Sequence, residues 1–262
     1  AREQFFREAS VLARLDHPNL PKVSDYFSTS LRDYLVMDYV PGPDLKSMVD
    51  EAAARGARLA VEDTLLWADQ ILDALAYMHG QDPPVIHRDI KPSNLKLMPT
   101  GLIKLVDFGL VKTMAPDDMT VTVIQGRGTA LYTPLEQYGG DTGHTEPRSD
   151  LFSLGATLYH LLTGHPPVEA KERFLRPAAL VPPRQHNPDL PSHVEACVLW
   201  ALSLHPDDRP SSAEQMREAL HPDAAERLFS LPSDWRRQWA SAATPDRGLA
   251  ALAAALILLA MV

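Results

Sequence analysis

Two groups of polar residues lie close together between positions 85 and 109, and they limit the folds open to this chain more than any other feature. The first, H-R-D-I-K-P-S-N, holds Asp89, Lys91 and Asn94, and the second, D-F-G, begins at Asp107, thirteen residues after Asn94. The interval between them is hairpin-like, so we expect both groups to contribute to one site.

These residue types suit phosphoryl transfer, which needs a group to orient the nucleophile, oxygen ligands for Mg²⁺ and positive charge near the moving phosphoryl group. Asp89 is the candidate base. Asn94 and Asp107 offer oxygens of the kind that Mg²⁺ prefers, and Lys91 is placed to reach the γ-phosphate. The competing interpretation is a set of charged residues in an ordinary loop, but the combined order and spacing favour the catalytic one.

Composition excludes several classes of protein. The formal net charge of -9 argues against a nucleic-acid-binding protein, because phosphate neutralisation needs clustered Lys and Arg. The single cysteine, Cys197, excludes an internal disulfide and a cysteine-rich metal site, and fits a reducing compartment. With 45% hydrophobic residues, the chain can form a packed core.

Hydrophobic periodicity predicts a helix over 2–15, short strands over 22–27 and 34–39, and a turn at 41–43. Helices are predicted from Asp44, over 61–79, from Asp150 to the glycine at 164, over 192–204 and over 211–220. The long connection over 110–146 is expected to be functional, and 177–191 to be a Pro-rich linker.

The last part of the chain predicts a membrane anchor. Residues 248–262 are apolar without interruption, and at about 1.5 Å per residue they reach only part of the ~30 Å hydrocarbon core. Residues 222–247 form a juxtamembrane linker whose Arg236, Arg237 and Arg247 favour the cytoplasmic side. We therefore expect a single-pass membrane protein with its catalytic part in the cytoplasm; the alternative for 248–262 is a buried core helix.

Over residues 3–220 the chain resembles the eukaryotic-like (Hanks-type) protein kinases, on the strength of H-R-D-I-K-P-S-N followed by D-F-G. Lys91 is typical of the Ser/Thr branch, and R-E-A-S-V-L-A-R-L-D-H-P-N-L with the apolar tail is most similar to bacterial membrane-anchored members. The resemblance implies an α+β fold, with a partial N-lobe and hinge over 1–40 and a mostly helical C-lobe over 41–221. It also implies ATP, Mg²⁺ and protein substrates as partners.

The resemblance implies further roles, position by position. For the nucleotide these are Glu8 as the αC glutamate, Met37 as gatekeeper, Asp38 to Val40 as hinge, and Asp44 as a ribose contact. The regulatory positions are Arg88, which would receive a phosphate on Thr120 or Thr122, and Thr129, which would bond Asp89 and Lys91. The structural positions are His87 and Phe108 stacked with Leu12, Gly109, Asp150 bracing the catalytic loop, and the ion pair of Glu136 with Arg209.

The chain departs from the family pattern at its beginning. It has no Gly-rich loop and no lysine ahead of Glu8, and the A-P-E motif becomes Pro134-Leu135-Glu136. We expect this chain to be an inactive fragment of an active Ser/Thr kinase. The complete kinase could form a homodimer through its N-lobe. The alternative is a pseudokinase or scaffold without phosphotransfer activity. A small-molecule phosphotransferase is disfavoured because residues 129–136 resemble a peptide-positioning segment.

Overall fold

The computed structural model describes residues 2–30, 32–108, 127–138 and 145–221. Its strands are β1 (Val23–Ser28), β2 (Asp33–Met37), β3 (Leu95–Leu97) and β4 (Ile103–Leu105). Its helices are α1 (Arg2–Leu12), α2 (Leu45–Ala54), α3 (Val61–His79), α4 (Arg127–Ala130), α5 (Pro147–Thr163), α6 (Ala170–Leu175), α7 (Pro183–His186), α8 (Ser192–Ala201) and α9 (Ala213–Leu220). The strands form two antiparallel pairs, β1 with β2 and β3 with β4.

The N-terminal part consists of α1 packed against the β1–β2 hairpin. Phe5, Ala9 and Leu12 recur at helical spacing and are buried on the face of α1 that turns inward. The helix ends at Leu12, earlier than predicted, because residues 13–15 form a tighter turn in which Leu15 N–H donates to the Leu12 carbonyl at 3.1 Å. Leu15 is still buried, so the apolar pattern continues one turn beyond the helix.

A tight loop joins this hairpin to the helical part of the fold. Gly42 has a φ of 110°, and a Cβ at this position would lie 2.0 Å from the Leu97 carbonyl oxygen, so no other residue fits. The Leu97 N–H donates to the Pro43 carbonyl at 2.9 Å. This contact fixes the loop against β3, and α2 begins directly after it.

Helix α5 is the centre of the C-terminal part. Its residues from Ser149 to Thr163 are all buried, as the nearly continuous apolar run predicts, and it packs against α3 and α8. The helix ends at Gly164, whose φ of 77° is the left-handed conformation that terminates many helices. Gly155 lets α8 approach closely, because a Cβ there would lie 2.7 Å from the Ala201 Cβ.

The segment predicted to be a Pro-rich linker, 177–191, contains more structure than its proline content indicates. This segment contains a 3₁₀ turn, Pro177–Ala179, and α7, and it follows the unpredicted helix α6. Leu180 and Leu190 are buried, and the Asn187 side-chain amide donates to the Leu162 carbonyl at 2.9 Å. These contacts with α5 give the segment a defined path that its proline content did not indicate.

The predicted juxtamembrane linker (222–247) and membrane span (248–262) lie outside the described residues. Within the described ranges, no helix combines the length and the apolar character needed to cross a bilayer.

The approach of α8 to α5 gives a stability prediction. We expect Gly155→Ala to lower the free energy of unfolding by about 1 kcal/mol or more through overpacking, although alanine is favoured over glycine in a helix by about 1 kcal/mol. In an Ala201→Gly background the obstructing Cβ is gone, so the same change should raise stability. Urea unfolding of the four proteins measures both effects. The same sign in both backgrounds would show that this contact does not limit residue 155.

Candidate active site

The β3–β4 hairpin brings the two polar groups of the sequence together, as their spacing predicts. Leu95 pairs with Leu105, and the Val106 N–H donates to the Asn94 carbonyl at 2.9 Å. Asn94 therefore lies across the hairpin from the residue that precedes Asp107. Asp107 itself is exposed and comes two residues after the end of β4.

Asp89 is the centre of a hydrogen-bond network in the catalytic loop, residues 87–94, which precedes the hairpin. Its carboxylate accepts from Lys91 Nζ at 2.9 Å and from Asn94 Nδ2 at 3.0 Å, and the same Asn94 amide donates to the Asp89 carbonyl at 2.8 Å. Lys91 Nζ also donates to Thr129 Oγ1 at 3.2 Å, which joins the loop to α4. The three residues predicted to be catalytic thus contact one another directly.

Two positions of this site have strained backbone. Arg88 and Asp107 have φ values of 66° and 59°, a left-handed conformation that costs a non-glycine residue about 1 kcal/mol or more. Asp150 stabilises the first of them, because its buried carboxylate accepts from the N–H groups of His87 and Arg88, both at 2.8 Å. His79 Nε2 lies 3.0 Å from the same carboxylate.

Asp150 is held in its charged form. Complete burial raises the pKa of its carboxyl, but the hydrogen bond and charge of His79, with further contributions from His87, outweigh it and leave the pKa below its ordinary value. A buried carboxylate with this many donors acts as a fixed anchor for the turn that carries Asp89.

Glu8, Leu12, His87 and Phe108 line a cavity of about 210 Å³ between α1 and the catalytic loop. The rings of His87 and Phe108 lie 4.9 Å apart, centre to centre. Glu8 is thereby placed beside the loop that carries Asp89.

Glu136 and Arg209 form the predicted ion pair. Arg209 donates to the two Glu136 oxygens at 2.6 and 3.0 Å, and its side chain is fully buried. Ser149 Oγ, at the start of α5, donates to the same carboxylate at 2.8 Å. Burial raises the pKa of Glu136, but the hydrogen bonds and charge of Arg209, with Ser149, bring it below 4.5.

The predicted nucleotide contacts of the hinge lie between β2 and α2. Met37 packs against the core and Val40 is buried, whereas Asp38 is exposed and accepts from the Lys22 N–H at 3.2 Å. Asp44 caps α2, since its carboxylate accepts from the Ser47 N–H at 2.8 Å. A ribose contact by Asp44 would share its oxygens with this cap, so its predicted role stays a prediction.

Asn94 and Asp107 suit Mg²⁺ as a pair. Two hydrogen bonds of the Asn94 amide use Nδ2, and Oδ1 accepts one long bond from Ser93 Oγ at 3.5 Å, which leaves its second lone pair available to a hard cation. Among the described residues, no group of three or more His, Cys, Asp or Glu could hold a metal by itself. Two protein oxygens fit an ion whose remaining ligands are nucleotide oxygens and water.

A second cavity, of about 420 Å³, adjoins the catalytic loop and was not predicted. Lys46 and Asp50 of α2 line it together with Lys91, Tyr132 and His160. The Tyr132 hydroxyl and His160 Nδ1 are 2.7 Å apart. Burial raises the pKa of Tyr132, with Asp50 adding to the effect.

Burial, with the charge of Lys46, lowers the pKa of His160 to about 4. At neutral pH the Tyr132–His160 pair is therefore uncharged. The nearly apolar sequence of α5 offered no signal for this pair, because Tyr132 lies 28 residues away from His160 in the chain.

Three predicted positions, Gly109, Thr120 and Thr122, lie outside the described residues.

The protein kinase domain family matches the chain over residues 1–221. The chain belongs to the protein kinase family. A probable serine/threonine-protein kinase of Streptomyces coelicolor, SCO3848, is 36% identical over 225 residues, and the match covers 82% of this chain and 32% of that protein. The serine/threonine-protein kinase PknB of Mycolicibacterium smegmatis is 35% identical over 228 residues, with coverages of 83% and 35%.

Among solved structures, the apo form of PpkA-294 matches with a TM-score of 0.70 and 26% identity, covering 84% of this chain and 74% of that one. The predicted kinase-like α+β fold and the membership of the bacterial Hanks-type Ser/Thr kinases are therefore confirmed. The chain spans about a third of the length of the curated relatives it matches.

The Glu136–Arg209 pair gives a pH-dependent stability prediction. The Glu136 pKa is lower in the folded protein, so its contribution is present above 4.5 and is lost as the pH falls through the folded value. We expect Glu136→Gln to lower the free energy of unfolding by about 2 kcal/mol at pH 7, with a smaller difference below pH 4.5.

Urea unfolding between pH 3 and pH 7 measures this difference. Glu172→Gln is the matched control, because Glu172 pairs with Arg176 on the surface at 3.6 Å with both side chains largely exposed, where an ion pair contributes about 0–1 kcal/mol. Equal losses in the two variants at pH 7 would contradict a special role for the buried pair.

Proposed function

We propose that the protein transfers the γ-phosphate of ATP to Ser or Thr hydroxyls of protein substrates. The observation that carries this proposal is the contact of Asp89 with Lys91 and Asn94, next to the hairpin that Asp107 follows. Membership of the protein kinase family supports the same reaction.

Asp89 accepts or orients the proton of the substrate hydroxyl, whose oxygen forms the new bond to the γ-phosphorus. The bond from that phosphorus to the β–γ bridging oxygen breaks, and ADP leaves with the electron pair. Lys91 lies 2.9 Å from Asp89 and supplies positive charge beside the moving phosphoryl group. Asn94 and Asp107 would hold Mg²⁺, which neutralises charge on the phosphates when bound.

The remaining predicted positions are proposed in the same terms. Glu8, Met37, Asp38, Val40 and Asp44 would contribute to nucleotide binding. Arg88 would bind an activating phosphate on Thr120 or Thr122. Thr129 would bond Asp89 and Lys91, and the hydrogen bond that it accepts from Lys91 supports the second of these contacts.

Replacement of either Asp89 or Asp107 should strongly reduce the rate of phosphate transfer. In the gene product that contains this chain, we expect Asp89→Ala and Asp107→Ala to reduce phosphate transfer by about 10²–10⁴-fold. Incorporation of labelled phosphate, followed by phosphoamino-acid analysis, measures the rate and the acceptor. Asp63→Ala, in the exposed first turn of α3, is the matched control and should keep full activity.

Activity that persists in Asp89→Ala and Asp107→Ala would contradict the proposal. Wild-type protein that neither binds ATP with Mg²⁺ nor transfers phosphate would favour the pseudokinase alternative. Thermal unfolding of each variant separates loss of activity from loss of folding.

We also propose that residues 248–262 anchor the protein in a membrane with the kinase domain in the cytoplasm, which their uninterrupted apolar sequence supports. The gene product should then fractionate with membranes, and deletion of 248–262 should move its kinase domain to the soluble fraction. Unchanged fractionation of the deletion variant would contradict anchoring by this segment.

A further inference from the structure

The 420 Å³ cavity beside the catalytic loop is lined in part by residues that the proposed phosphotransfer step does not use. Lys91 and Ser93 line it from the loop, and Leu131 and Tyr132 line it from the segment after α4. A protein substrate whose hydroxyl reaches Asp89 must therefore pass close to the cavity. Its volume corresponds to a width of about 9 Å, or roughly three residues of extended chain.

The side chains that line the cavity carry more positive than negative charge. Among the described lining residues, Lys46 and Lys91 are cationic and Asp50 is the acidic one. Lys91 already donates to Asp89 and Thr129 as part of the catalytic network. Lys46 is the cation left to act on a substrate side chain.

Lys46 can exchange its present partner for a ligand. It pairs with Asp50 one helical turn away, but the two side chains are 43% and 57% exposed. Exposed ion pairs one helical turn apart are weak, so a ligand carboxylate can compete for the ammonium group. Lys46 has three N–H donors, and one such pair leaves others for a second acceptor.

Tyr132 and His160, which also line the cavity, are uncharged and do not oppose the binding of an acidic side chain. The His160 pKa of about 4 leaves its ring uncharged at pH 7, and Lys46 affects that ring more than Asp50 does. His160 Nδ1 is held by the Tyr132 hydroxyl, so Nε2 is the ring nitrogen left for a ligand. Among the described lining residues the two lysines outnumber the single carboxylate, which suits an acceptor-only group such as a carboxylate.

We propose that this cavity selects protein substrates with an acidic side chain within about three residues of the phosphorylated hydroxyl, through Lys46. This inference rests on the proposed kinase function and names the substrate class of the same site. Lys46 acts as a specificity-determining residue. A basic substrate side chain would have to bind Asp50 and displace Lys46.

Peptides with one Thr acceptor and Glu, Ala or Arg at each of three positions on either side test the proposal with the complete gene product. We expect Glu to exceed Arg in kcat/KM by about fivefold at one or more positions. Lys46→Ala should remove this preference and Lys46→Glu should reverse it. Arg55→Glu, the same charge change at the C-cap of α2 and outside the cavity lining, should leave the ratio unchanged.

A preference for Arg, no preference in the wild type, or an equal Glu-to-Arg ratio in wild type and Lys46→Glu would overturn the proposal. Fluorescence anisotropy of labelled Glu and Arg peptides gives a second readout that does not need turnover. If the wild type transfers no phosphate but binds the Glu peptide more tightly through Lys46, the cavity assignment stands and the kinase function fails. If it transfers phosphate without a Lys46-dependent preference, the kinase function stands and the cavity assignment fails.

Discussion

The site depends on one buried carboxylate. Asp150 accepts the N–H groups of His87 and Arg88 at 2.8 Å each, and so holds Arg88 in a left-handed backbone conformation that it would not adopt by itself. Asp89 is the next residue, so its direction follows from this turn. The energy of burying the charge is offset by the hydrogen bonds it accepts, including the contact with His79.

The start of α5 connects Asp150 to the rest of the C-terminal part of the fold. Ser149 donates to Glu136 at 2.8 Å, and the Arg148 carbonyl accepts from Arg209 at 3.2 Å. Three consecutive residues of one helix therefore contact the catalytic loop, the segment after α4 and the buried arginine near α9. Because all three contacts depend on the position of α5, a shift of this helix would disturb them together.

The catalytic loop also joins two cavities. His87 and Arg88 line the smaller one with Glu8 and Phe108, and Lys91 and Ser93 line the larger one with residues of α2 and α5. The smaller cavity lies beside the helix to which the resemblance assigns a nucleotide contact. The larger one lies where a substrate side chain would pass, so one short loop serves both reactants in the proposed reaction.

The sequence by itself determined the features that depend on short spacing. The order of Asp89, Lys91, Asn94 and Asp107 identified the kinase family, and periodicity located α1, α3, α5, α8 and α9 to within a few residues, because helices and hairpins are made by neighbours in the chain. Only the tertiary structure decided the contacts between distant segments. Tyr132 with His160, Gly155 with Ala201 and Asn187 with Leu162 are separated by 25 to 46 residues. Such contacts depend on how whole helices pack, which no local pattern encodes.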